Sequence, residues 1–173
     1  VEPDTLRSLL EAARWAPSSS NEQPWSFLVA TKDDQAEYGR LLSCLVEGNS
    51  LWAQRAPVLM VAVARMSFEE GGEPNRHAYY DVGQAVAGLS VQATALGLVV
   101  HQMAGFHPEK VRELYDVPKE FEPVVAIALG YPGDLESLPE KFRSREVAPR
   151  ERKPLTEFVF AGRWGKTSSI VGG

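Results

Sequence analysis

The chain has 173 residues, 44% of them hydrophobic, which suits one sizeable core and is short for two, because domains most often run roughly 100–150 residues. Its formal net charge of -5 comes without any run of like charges, so the electrostatic footprint of a nucleic-acid binder is missing. The longest strongly apolar stretch, residues 58–64, falls well short of the roughly 20 residues needed to cross a bilayer, and the first residues carry no charged-then-apolar signal pattern. The expectation is a cytoplasmic protein with one domain over 1–173 and neither nucleic acid nor membrane as partner.

In chain order, Leu6, Leu9, Leu10, Ala13 and Trp15 recur near helical spacing after Pro3 and Asp4, which suit an opening turn, and Pro17 closes the run. Residues 25–31 (WSFLVAT) are dense in strand formers, and Lys32-Asp33-Asp34 supplies a turn and an N-cap for a helix through about Leu45. A short helix near 49–55 precedes Pro57, and 58–64 reads as a strand buried on both faces. Residues 66–76, rich in Glu and Gly, read as a mobile surface loop. Residues 77–98 are apolar nearly all round, with small Gly and Ala on several faces, and predict a long helix buried against several neighbours. A strand at 99–103, a helix at 108–115 and a buried strand at 123–130 complete an alternation that argues for helices packed on a sheet. The tail, 138–163, reads as a charged helix, a basic stretch between Pro149 and Pro154, and an apolar LTEFVF run suited to a terminal arm.

Several common chemistries lack their residues. GxGxxG, GxxxxGK[ST] and GxSxG are all absent, which removes the main support for a Rossmann fold, a P-loop and an α/β-hydrolase. His77, His101 and His107 have no paired metal spacing, so no zinc or iron site is expected. Cys44 is the only cysteine, and Leu41, Leu42, Leu45 and Val46 around it suggest a buried hydrophobe rather than an activated thiol.

Four places offer ligand chemistry, each with a plainer alternative. The loop at 17–25 sets three serines and Asn21 between two prolines, which suits a polar ligand with several acceptors or simply a capped, solvated turn. Asn49 is a ligand donor or a helix N-cap. The HQMAGF segment, 101–106, leaves a strand with Ala104 and Gly105 small enough for something planar to approach, or only makes a tight turn. Arg150 and Arg152, alternating on an extended segment, converge on a phosphate or decorate the surface.

Four segments, APSSSNEQPW, GNSLWAQRAPVL, DVGQAVAGLSVQATALGLVVHQMAGF and VVAIALGYPGD followed by RERKPL, together resemble the flavin-dependent nitroreductase family, in its small single-domain branch, over almost the whole chain. The resemblance implies an α+β sandwich with a central mixed sheet wrapped by helices, in an intertwined homodimer with two flavins at the interface. It implies FMN as cofactor and NAD(P)H as donor, with a ping-pong transfer of electrons to nitroaromatic, quinone or related small-molecule acceptors. Because flavin N5 carries the chemistry, no catalytic side chain is expected. Pro17, Ser18, Ser19 and Asn21 are implied to contact the flavin held mainly by the other subunit, and Asn49 to bond the ring edge. Gln102, Met103, Ala104 and Gly105 are implied to line the ring, with an Ala104 or Gly105 amide near N5, and Arg150 and Arg152 to reach the phosphate. Members usually open with an RRSxR-like phosphate-binding stretch, whereas Val1-Glu2-Pro3-Asp4 starts past it; the expectation is that this stretch has been removed or left out, the alternative being weak FMN binding. Trp52 stands where some members place a lysine near the flavin, which implies a different redox potential. The rival readings are a specialised enzyme of the same fold (dehalogenase-like or flavin-destroying), a non-catalytic flavin-binding protein, and a plain α/β ligand-binding domain.

Overall fold

The computed structural model of the chain describes residues 1–172, which divide into two compact units, Val1–Asp134 and the residues from Leu135 onward. The first unit holds a four-stranded sheet: β1 (Trp25–Thr31), β2 (Val58–Arg65), β3 (Val99–Met103) and β4 (Phe121–Gly130), in the order β1-β2-β4-β3. Five helices flank it: α1 (Pro3–Arg14), α2 (Gln35–Leu42), α3 (Glu47–Ala53), α4 (Ala78–Ala95) and α5 (Pro108–Leu114).

Side chains alternate across a strand, so a strand covered on both sides must be apolar throughout. β2 meets that condition. Met60, Ala62 and Ala64 face a core shared with Leu9 and Ala13 of α1 and with Val82, Val86 and Leu89 of α4. Leu59, Val61 and Val63 face the opposite core, with Tyr38 and Leu41 of α2, Ala53 of α3 and Val111 of α5. The result is three layers, α1 and α4, then the sheet, then α2, α3 and α5.

The α+β sandwich matches the expected fold class, but its strand directions differ from the expected mixed sheet: β1 with β2, β2 with β4, and β3 with β4 all pair antiparallel. The physical reason lies in the order. The crossover from β2 through α4 to β3 does leave those two strands parallel, but β4 inserts between them and pairs antiparallel with both.

Local signals set the helix ends. The Asp34 carboxylate accepts from the Glu37 amide at 3.0 Å and caps α2. Gly97, at φ 75°, turns the chain out of α4 so that the Leu98 amide can reach the Ala93 carbonyl at 2.8 Å. Residues 66–76 form a short hairpin in which the Phe68 amide bonds the Glu73 carbonyl and the Asn75 amide bonds that of Met66, both at 2.8 Å. The Glu69 amide also donates to the Glu22 carboxylate.

Helix α4 packs against several neighbours, α1 beside it and the sheet beneath it, along one face. Tyr80, Gly83, Ala87 and Val91, at helical spacing on the other side, are exposed, Tyr80 by 68% and Val91 by 72%.

In the second unit, α6 (Glu140–Glu146) is followed by an extended basic stretch and a turn closed by the Phe160–Thr167 bridge. No helix among the described residues is long and apolar enough to cross a membrane.

Candidate functional site

Two polar clusters stand out in the first unit. The first is the loop between α1 and β1. Ser20, Asn21 and Gln23 all adopt left-handed backbone, at φ 54°, 56° and 50°. Such conformations cost a non-glycine residue about 1–3 kcal/mol and persist only where surroundings over-determine them. Here the surroundings are identifiable. The Ser18 hydroxyl accepts from the Gln23 amide at 2.9 Å, and the Asn21 and Glu22 amides bond the Ser18 and Ser19 carbonyls at 3.1 and 3.0 Å. The Ser19 amide donates at 3.0 Å to Oδ2 of Asp81, 62 residues away on α4.

Pro17, Ser18 and Ser19 line one side of a cavity of about 290 Å³, and His77, Tyr80, Asp81 and Gln84 line the other. The hydroxyls of Ser19 and Ser20 and the carboxamide of Asn21 bond no protein group among the described residues. The loop therefore offers free donors and acceptors from a fixed backbone.

The second cluster is a nook between the start of α3 and the end of β3. The Gly105 carbonyl accepts from Asn49 Nδ2 at 2.9 Å and from the Val46 amide at 3.2 Å, while the His107 amide bonds the Cys44 carbonyl at 2.8 Å. These bonds zip residues 44–49 onto 105–107. Gly105 is required by the close approach, since a Cβ there would lie 2.6 Å from Asn49 Nδ2 and 2.9 Å from Val46 Cγ2. The amides of Ala104 and Gly105 have no protein acceptor among the described residues, and Ala104 is exposed. Two unsatisfied donors on a turn with almost no side chain can meet an acceptor atom of a flat ligand.

Around this nook the expected residues divide. Gln102 donates to the Ser90 hydroxyl on α4 at 3.3 Å, so its side chain lies on the α4 side of the sheet. Met103 turns its side chain into the core on the other side and offers only backbone. Trp52 packs against that same core, with its ring edge-on to His101 at 4.6 Å. Cys44 is buried there too, and burial pushes its thiol above the usual range, as befits a packing residue.

Arg150 and Arg152 belong to the second unit. Both are exposed, and Arg152 donates to the neighbouring Glu151 carbonyl at 2.7 Å.

The structure thus groups Pro17, Ser18, Ser19 and Asn21 in one cluster, and Asn49, Ala104 and Gly105 in another. Within the chain no hydrogen bond among the described residues joins the two: the first is tied to α4 through Asp81, and the second to residues 44–46. Reading the sequence missed Asp81, His77, Tyr80 and Gln84. One signal was available for Asp81, an acid inside an otherwise apolar helix.

A model of the nitroreductase family matches residues 1–49 and 45–131, a span that contains both clusters. The chain belongs to the nitroreductase family. Arg150 and Arg152 lie beyond the part that matches the family model. A Mycolicibacterium smegmatis protein known only as an uncharacterised 15.4 kDa product is 38% identical over 128 residues, covering 72% of this chain and 82% of that one. A Streptomyces coelicolor protein with the provisional name NADH dehydrogenase/NAD(P)H nitroreductase is 31% identical over 151 residues, covering 76% of this chain and 74% of its own. A solved structure described as an oxidoreductase containing FMN superposes with a TM-score of 0.90 at 35% identity, over 96% of this chain and 85% of the other.

Proposed function

We propose that this nitroreductase-family chain is an FMN-dependent oxidoreductase that draws electrons from NAD(P)H and delivers them to a nitroaromatic, a quinone or a related small acceptor. The observation that carries the reading is the pair of incomplete polar clusters. Each has unsatisfied donors, and neither encloses a ligand alone. Family membership and the FMN-containing relative name the ligand that suits them, and the Streptomyces relative is named for NADH and NAD(P)H.

The residues fit a flavin. The free Ala104 and Gly105 amides suit a ring nitrogen, Asn49 stands at the edge of the same nook, and the Gly105 close approach leaves a flat wall. The Pro17–Asn21 side offers hydroxyl and amide groups for the polar edge of the same ligand. When bound, FMN supplies hydride acceptance and release at N5, which asks the protein for binding, orientation and electrostatics rather than an acid–base triad. Donor and acceptor then occupy the same exposed face in turn, in a ping-pong cycle. Arg150 and Arg152 are assigned to the phosphate, for which planar guanidiniums are well shaped.

A homodimer would bring the Pro17–Asn21 loop of one chain to the Asn49–Gly105 nook of its partner. The exposed stripe of Tyr80, Gly83, Ala87 and Val91 supports that assembly, because small residues permit close helix packing and Val91 gains from burial.

The test is direct. Purified full-length protein is expected to be yellow, or to stay yellow after incubation with FMN and removal of the unbound flavin by gel filtration, and to oxidise NADH or NADPH when menadione or a nitrofuran is present. Protein that is colourless after that treatment overturns the reading. Protein that holds FMN but does not bleach with NAD(P)H in the absence of oxygen is a flavin-binding protein without turnover.

A further inference from the structure

We infer that Asp81 is a positioning residue, whose buried carboxylate holds the Ser18–Gln23 loop in its flavin-facing shape by gripping the Ser19 amide. The inference rests on the flavin reading for its purpose, but its geometry stands without it.

An acid in the first turn of a helix is ordinarily accounted for by the helix dipole, and it then sits in solvent. Asp81 is in the first turn of α4 but is only 2% exposed, among Ala78, Val82 and Ala85. A buried carboxylate is costly unless bonded, and no cation pairs with it among the described residues. Among the described residues, its one side-chain hydrogen-bond partner is the Ser19 amide. The chain therefore keeps a buried acidic side chain that bonds a backbone group 62 residues away.

That bond sits where it has the most effect. Ser19 precedes Ser20, Asn21 and Gln23, whose left-handed dihedrals would relax if the loop were free. Asp81 itself is placed by a fixed helix start: buried Asn75 accepts from the His77 amide on its side chain at 3.0 Å and from the Ala78 amide on its carbonyl at 3.2 Å. Asp81 also lines the cavity with Pro17, Ser18, Ser19, Tyr80 and Gln84, and its other oxygen has no protein partner among the described residues. Rigid helix, carboxylate and strained loop thus form one chain of support.

Two substitutions remove the bond from opposite ends. Asp81→Leu deletes the acceptor. Ser19→Pro deletes the donor at a helical first position, where proline is tolerated. Each is expected to weaken FMN binding by about tenfold or more, measured by flavin fluorescence quenching on the full chain, and the double variant should be no weaker than the worse single one. Asp81→Asn keeps an oxygen acceptor in place and should restore FMN affinity close to that of the parent. Hydrogen exchange gives a second readout that needs no flavin: the Ser20–Gln23 amides should exchange faster in Asp81→Leu and Ser19→Pro, and at parental rates in Asp81→Asn.

Unchanged FMN affinity and unchanged exchange in Asp81→Leu would overturn the inference. So would strictly additive losses in the double variant, or an Asp81→Asn protein as weak as Asp81→Leu. If the parent binds no FMN at all, the functional reading fails while the exchange pattern still decides the role of Asp81.

Discussion

The loop at Ser18–Gln23 and the turn at Ala104–Gly105 both hold backbone donors ready for a ligand, by opposite means. The loop does so with non-glycine residues forced into left-handed backbone and tied by Ser18 and Asp81. The turn has no such strain. It removes the side chain at Gly105 so that Val46 and Asn49 can press against the backbone. Strain must be held by bonds, and one of the loop's runs to a distant helix, so the loop depends on α4 as well as on Ser18. Close packing is local, so the turn depends on residues 44–49.

That contrast predicts unequal sensitivity, and Gly105→Ala gives the largest effect. The added methyl would force Asn49 off the Gly105 carbonyl, and overpacking of this kind costs about 1–3 kcal/mol, with Tm falling by about 2–4 °C per kcal/mol. Thermal melts check the stability, and FMN titration should show binding lost along with the displaced Asn49. If Gly105→Ala keeps both parental Tm and affinity, the nook is not close-packed as described.

The nook also has a support from behind, and pH exposes it. The Tyr38 hydroxyl donates to the Ala53 and Ala56 carbonyls, at 3.1 and 2.6 Å, at the end of the helix that carries Asn49 and just beyond it. Burial pushes its pKa up from 10.0 to about 12. Because the folded value lies above the unfolded one, this contribution is complete below pH 10 and is lost as pH rises from 10 toward about 12. Tm is therefore expected to fall over that interval, and to fall less steeply in Tyr38→Phe, which starts from a lower Tm at neutral pH. Parallel curves for the two proteins would contradict this.

The smallest effect belongs to the loop. Gln23→Gly removes the side chain at φ 50°, where glycine carries no steric cost. Stability is expected to stay within about 1 kcal/mol of the parent, on the stabilising side, as read from denaturant midpoints. A clear loss would mean that Gln23 contributes more than its dihedral.

Much of this was legible because the signals were local. Residues 25–31 and 99–103 were read as the strands that form, since β-rich composition between turn residues needs no tertiary help. The 58–64 run was read as buried on both faces, because only a strand covered on both sides can be apolar at every position. The α4 run was read as buried against several neighbours, and α1 and the sheet supply one face of that burial. An all-round apolar helix signals burial without saying whether its own chain or another supplies the cover. Asp81 was passed over because one acid in a helix has an ordinary explanation until its burial is known.

By itself, then, the sequence determined the elements, the family and the segments with free polar groups, all of which follow from neighbours close along the chain. Only the tertiary structure decided that β4 would split β2 from β3, that Asp81 would meet Ser19, and that Asn49 would meet Gly105. Those outcomes depend on which surfaces bury one another across tens of residues, and spacing along a chain does not encode that choice.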